Sequence, residues 1–137
     1  EAAAKGLLLE LLVLVGRAYA GMPLSTSTDL TAKRTAIHKA IAYIERHYAD
    51  TLSLEDLSSR ALLSPSYFCQ RFRKATGLSP WDYVTRVRLD HAKMLLAQTD
   101  RTVTDIALSV GFGDSGYFAR VFKAREGMSP REYRKSQ

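Results

Sequence analysis

Residues 53–83 of this chain recur at 102–133. Ser53, Asp56, Leu57, Tyr67, Phe68, Phe72, Gly77, Ser79, Pro80 and Tyr83 match Thr102, Asp105, Ile106, Tyr117, Phe118, Phe122, Gly127, Ser129, Pro130 and Tyr133. The offset is 49 residues at the start and 50 from Ser64 onward, so the second copy carries one extra residue between its first two elements. Two copies are too few for a solenoid, which needs about three units to bury a continuous core. A small module used twice implies two equivalent contacts with a partner that itself repeats, and double-stranded DNA is the commonest such partner.

The charge distribution points the same way. Residues 31–137 hold 18 Lys and Arg against 11 Asp and Glu, whereas residues 1–30 hold two against three. All of the positive excess travels with the repeats, as a polyanion partner requires, although a basic surface serves solubility equally well. At 137 residues with 46% apolar content, the chain has enough for one packed domain or two very small units on a shared scaffold. Its single cysteine, Cys69, forms no internal disulfide and suits a reducing cytosol.

The first 30 residues have a different character. Leu7 to Val15 is an apolar run broken by Glu10, far short of the roughly 18 to 20 residues that span a bilayer. Lys5, this run and Ala18-Tyr19-Ala20 imitate a secretory signal, but Glu10 within the run and Arg17 beside the would-be cleavage site argue against one. The spacing predicts instead an amphipathic helix from about Ala2 to Tyr19 with Leu8, Leu11, Leu12 and Val15 on one stripe, a surface suited to a homodimer. Gly21, Pro23 and the Ser25 to Thr28 cluster read as a linker. Residues 1–30 are therefore expected to be the remnant of a preceding domain. The opening EAAAK is also a common helical spacer.

Every later segment has helical periodicity. Ile37, Ile41, Ile44 and Tyr48 predict an amphipathic helix over Lys33 to Tyr48. Ser53 and Thr102 are N-caps with Asp three residues on, opening helices that run to about Leu62 and to Val110 and Gly111. Ser64 with Pro65, and Asp114 in the second copy, cap helices that end at Gly77 and Gly127. Ser79 and Pro80 open a helix of roughly 18 residues to about Gln98, which at 1.5 Å per residue spans about 27 Å. The fold class is thus all-α: two helix-turn-helix units, about 53–76 and 102–126, joined by a long helix over 80–98.

Phe68 and Phe72, like Phe118 and Phe122, stand at i, i+4 and must face inward, leaving the opposite helix face to solvent or ligand. An ordinary helical hairpin would show the same pattern once. Two matched copies on a basic chain favour recognition helices, set about one DNA turn (roughly 34 Å) apart to enter successive major grooves of an asymmetric site.

Ile106 to Pro130, IALSVGFGDSGYFARVFKAREGMSP, resembles the signature of the AraC/XylS family of bacterial transcription regulators, and Ser53 to Tyr83 resembles the first helix-turn-helix of that family. The resemblance covers about 105 of the 137 residues. It implies seven helices, a cytoplasmic transcription activator, RNA polymerase as a further partner, and a sensor and dimerisation domain upstream. The exposed faces, in agreement with the family pattern, nominate Ser66, Cys69, Gln70 and Arg73 as base-contacting in the first unit, with Gly116, Ala119, Arg120 and Lys123 in the second. Gln70 suits adenine and Arg120 suits guanine. Gly116 and Ala119 offer little hydrogen bonding, so the second unit is expected to grip mainly backbone. Ser64, Arg71, Lys74, Ser115 and Arg125 are the candidate phosphate contacts, each equally readable as a solvated surface residue. Cys69 is most simply a small filler.

Rival chemistries fit poorly. Gly111 to Gly116 spells G-x-G-x-x-G, but the dinucleotide fingerprint requires a preceding strand, whereas Thr102 to Val110 reads as a capped helix. His38, His47 and His91 fall in separate registers without clustered ligands, so neither a metal site nor a cofactor is expected. No nucleophile, base and orienting group come together as an enzyme would need. The competing function is a helical protein-interaction module with only sequence-blind DNA affinity.

Overall fold

A computed structural model describes the backbone of residues 23–137 and side chains from Leu30 onward. The expected helix over 2–19, with Leu8, Leu11, Leu12 and Val15, lies outside the described residues. Among the described residues seven helices follow one another without a strand: α1 (Pro23–His47), α2 (Leu54–Arg60), α3 (Pro65–Thr76), α4 (Pro80–Gln98), α5 (Val103–Ser109), α6 (Ser115–Glu126) and α7 (Pro130–Ser136). None is long and apolar enough to cross a membrane. One expectation fails at the start: Pro23 and Ser25 to Thr28, read as linker, form the opening turns of α1, ten residues ahead of Lys33. Proline is at home in a first turn, where its missing N–H has no partner to lose. Ser and Thr cost a helix only about 0.5 kcal/mol per residue relative to Ala, which a packed helix can absorb.

Side-chain caps define the other starts. The hydroxyls of Ser53, Ser64, Ser79, Thr102 and Ser129 each accept the backbone N–H three residues on, at 3.0 to 3.3 Å. Asp114 does the same for α6, accepting from the N–H groups of Gly116 and Tyr117. Each cap satisfies a donor that the helix cannot, worth about 1 kcal/mol.

Two apolar clusters form, and α4 belongs to both. The first gathers Ile37, Ala40 and Ile44 of α1, Leu57, Phe68, Phe72 and Val84. The second gathers Leu89, Ala92 and Leu96 of α4, Ile106, Val110, Phe112, Phe118 and Phe122. Ile37, Ala40 and Ile44 correspond to Leu89, Ala92 and Leu96 at an offset of 52 residues, so the duplication extends back into α1. In each unit a long helix lies under a short helix and a recognition helix, and the next helix closes the core with a tyrosine. Tyr83 meets Phe72 edge-on at 5.5 Å between ring centroids, and Tyr133 meets Phe122 at 5.7 Å. Such edge-to-face pairs contribute about 0.5 to 1.5 kcal/mol beyond their buried area.

Arginines from the helix that closes each unit bind the carbonyls where the unit's long helix stops. Arg88, only 7% exposed, donates from Nε to the Tyr48 carbonyl at 2.6 Å and from a terminal nitrogen to that of Asp50 at 3.0 Å. Its guanidinium also lies over the rings of Trp81 and Phe112, and burial pulls its pKa below the usual arginine value. Arg134 serves the C-terminal end of α4 in the same way, donating to Leu96, Thr99 and Arg101 carbonyls. Orphan carbonyls at helix ends need such partners when water is excluded.

The turns inside the two units share one hydrogen-bond pattern. Leu62 N–H donates to Ser59 and Leu63 N–H to Ser58; Gly111 and Phe112 donate to Leu108 and Ala107 in the same register. This doubled closure requires a left-handed residue at its first position. Gly111 supplies it at φ 105, whereas Leu62 adopts φ 58 with its side chain 90% exposed. Gly113 is the extra residue of the second copy, standing between that closure and the Asp114 cap. A Cβ on Gly111 would sit 2.8 Å from Arg88 Nε and 3.0 Å from Ala49 Cα, so backbone conformation and close packing both exclude a side chain. Gly111→Ala should therefore cost about 2 to 4 kcal/mol by urea denaturation. Leu62→Gly should be neutral or gain up to about 1 kcal/mol, because relief of left-handed strain outweighs the added chain entropy.

Candidate nucleic-acid interface

The recognition helices α3 and α6 present themselves in the same way. In α3, Phe68 and Phe72 are fully buried, Ser66, Gln70 and Arg73 are exposed, and Cys69 is half-buried. In α6, Phe118 and Phe122 are fully buried, Gly116, Arg120 and Lys123 are exposed, and Ala119 is half-buried. Each helix therefore anchors by one stripe and offers the opposite one to solvent. Both carry cations in the last turn, Arg73 and Lys74 in one and Lys123 and Arg125 in the other, where the helix dipole favours positive charge.

The expected phosphate contacts divide. Ser64 is exposed; its Oγ accepts from Tyr67 N–H, which leaves the hydroxyl proton free to donate. Lys74 is exposed, and Ser115 is half-buried. Arg71 is half-buried with its Nε enclosed and unpaired within the protein. Arg125 is exposed, and its guanidinium donates to Asp82 Oδ1 at 2.9 Å across to the start of α4.

One residue at the site, Asp82, was not singled out from sequence. Asp82 follows the Ser79 cap by three residues, the spacing of a capping box, and that pattern is the signal that could have found it. Its carboxyl is held below the usual aspartate pKa, first by the hydrogen bond from Arg125, then by that from Ser79, with smaller help from the charges of Arg125 and Arg73. Asp114 replaces Ser64 at the cap, so the second recognition helix begins with a carboxylate where the first begins with a hydroxyl. Tyr67 has Lys33 over its ring at 4.8 Å, whereas Tyr117, 49% exposed, leans on Phe112.

The rival chemistries do not assemble among the described residues. Gly111 to Asp114 forms the turn between two helices, and Ser115 and Gly116 open the second of them. His47 stacks on Tyr43 and lies 3.0 Å from Asp50, His91 stacks on Tyr48, and His38 is exposed. Among the described residues no group of three His, Cys, Asp or Glu is placed to hold a metal ion.

Comparison with known proteins agrees with this architecture. The helix-turn-helix domain family profile matches residues 57–136. The chain is 33% identical over 131 residues to the HTH-type transcriptional activator RhaS of Klebsiella pneumoniae, covering 96% of this chain and 45% of that protein. It spans under half the length of the curated relatives RhaS and PocR. Among solved structures, the C-terminal domain of the response regulator AraT from Geobacillus stearothermophilus superposes with a TM-score of 0.72 at 30% identity, over 74% of this chain and 85% of that one. The DNA-binding domain of the transcriptional factor AdpA, solved in complex with a target DNA, gives 0.70 at 29% identity, over 73% and 90% of the two chains. These families and folds are those of transcription regulators, not of enzymes. The paired helix-turn-helix units on one shared helix, together with these matches, place the chain in the AraC/XylS family, as a DNA-binding domain of that type.

Proposed function

We propose that the chain regulates transcription, as an activator, by reading DNA sequence with α3 and α6 in successive major grooves on one face of an asymmetric site. The observation that carries this reading is the matched exposure of the two recognition helices, each held by a buried Phe pair on a shared 19-residue helix. At 1.5 Å per residue α4 is about 28 Å long, commensurate with one turn of DNA. Gln70 and Arg73 are the principal base readers of the first unit, with Ser66 and Cys69 beside them. Arg120 and Lys123 serve the second, flanked by the nearly featureless Gly116 and Ala119. Ser64, Arg71, Lys74 and Ser115 contact the phosphates. The second head reads fewer bases, and its Asp114 carboxylate faces the phosphate chain where Ser64 would donate to it. A cytoplasmic location, RNA polymerase as partner, and a homodimer through Leu8, Leu11, Leu12 and Val15 complete the proposal; the dimer rests on sequence alone.

Selection from a randomised duplex library should return two short motifs about one helical turn apart. Arg120→Ala should relax preference within one motif and Gln70→Ala within the other, each by about 1 to 3 kcal/mol of discrimination in anisotropy titrations. Equal binding to all duplexes would refute the assignment and favour a protein-interaction module. Asp114→Ser keeps a competent cap, so the melting temperature should hold while low-salt affinity rises about twofold through removal of a like charge near the backbone.

A further inference from the structure

The two recognition helices are seated differently at their C-terminal ends. In α6, Arg125 reaches Asp82 at 2.9 Å, and the neighbouring Glu126 meets Lys93 at 3.3 Å. Lys93 is also 3.3 Å from Asp90. Asp82, Asp90 and Lys93 share one face of α4 at helical spacing, so the last turn of α6 rests on a charged strip. At the offsets that relate the two units, Asp82 and Lys93 correspond to Leu30 and Ile41 of α1, and Arg125 and Glu126 to Ala75 and Thr76 of α3. The first unit places apolar or neutral residues at all four positions. Beside the ionic pairs lies an open cleft of about 410 Å³ lined by Arg86, Leu89, Asp90, Lys93, Arg125 and Glu126, so this side of the last turn of α6 is not closely packed.

Asp82 also links the units. It lies on the N-terminal half of α4, whose Val84 closes the first core, while Arg125 belongs to the second unit. Arg73 on the exposed face of α3 is near enough for its charge to act on the Asp82 carboxyl. Other cross-unit ties, from Arg88 to the chain after α1 and to the Gly111 turn and from Tyr48 to His91 and the second cluster, are made by other residues.

We propose that Arg125–Asp82 and Glu126–Lys93 are ionic struts that set the angle of the second recognition helix against the linker helix, and so determine which spacing between half-motifs the protein prefers. The proposal rests on the two-groove reading above and makes these four side chains positioning residues. It assigns Arg125 to the protein's own scaffold in place of a phosphate. The pairs are partly exposed, with side-chain exposures of 38% and 47% for Arg125 and Asp82, and of 28% and 25% for Lys93 and Glu126. Salt therefore weakens them, and the setting is adjustable.

The test compares wild type, Asp82→Asn with Glu126→Gln, and the charge-swapped pair Asp82→Arg with Arg125→Asp. Anisotropy titrations use duplexes whose two selected motifs are spaced from two base pairs short to two long. Wild type should prefer one spacing by about tenfold over its neighbours, an estimate in line with the cost of one mismatched contact. The neutralised variant should flatten that preference at least about threefold while keeping base preference within each motif, and the swapped pair should restore it. A spacing profile unchanged by neutralisation, or not restored by the swap, overturns the proposal. A readout without DNA separates this outcome from failure of the two-groove reading. Spin labels at Ala75→Cys and Ala124→Cys, in a Cys69→Ser background, should report one narrow distance in wild type, a broader distribution after neutralisation, and a narrow one again in the swapped pair. Unchanged narrow distances overturn the struts, whatever the DNA data show. Should the doubly neutralised protein melt early, Glu126→Gln alone must broaden the distribution, and failure to do so is equally decisive.

Discussion

A single continuous helix that belongs to two cores is the constraint on which the molecule depends. The first half of α4 supplies Val84 to one apolar cluster, and its second half supplies Leu89, Ala92 and Leu96 to the other. Arg88 marks the crossover. Buried among backbone carbonyls and aromatic faces, it fastens the chain after α1 to the middle of α4 and crowds the turn at Gly111. A guanidinium held by two carbonyls has little freedom to shift, because a displaced partner would leave a buried charge without compensation. The two reading heads consequently hang from a stiff bar with a pinned centre, instead of a flexible tether.

Much of this was legible in the amino-acid sequence, for reasons that differ from part to part. Caps were readable because Ser, Thr and Asp act within three residues of their own position. Phe68/Phe72 and Phe118/Phe122 declared the inward stripes because aromatic pairs at i, i+4 have few alternatives. The extension of the repeat into α1 was hidden: Ile37, Ala40 and Ile44 match Leu89, Ala92 and Leu96 only as apolar residues, and the shift from an offset of 52 to 49 breaks the register between them. The linker assigned to Ser25 to Thr28 failed because propensity is a weak local signal that a packed helix overrides. Arg88 and Arg134 could not be foreseen, since their partners are carbonyls 33 to 40 residues away. The pairing of Arg125 with Asp82 was equally hidden, because the two residues lie 43 positions apart.

Asymmetry within an otherwise faithful duplication carries the functional content. The first head begins with a hydroxyl cap, and its closing turn tolerates a leucine in the left-handed region. The second begins with a carboxylate, demands glycine at the equivalent turn, and has Gly116 and Ala119 where the first has Ser66 and Cys69. The scaffold therefore repeats while the chemistry on it diverges. The core stripe and the exposed stripe lie on opposite sides of each recognition helix, so the exposed residues can change without disturbing the packing that positions them.

Sharing α4 also imposes an order on how the molecule comes into being. The first cluster lacks its closing wall until Val84 has left the ribosome, and the same segment then offers Leu89, Ala92 and Leu96 as the floor on which the later residues settle. Neither cluster is complete without that common beam, and a break within it would open both halves at once.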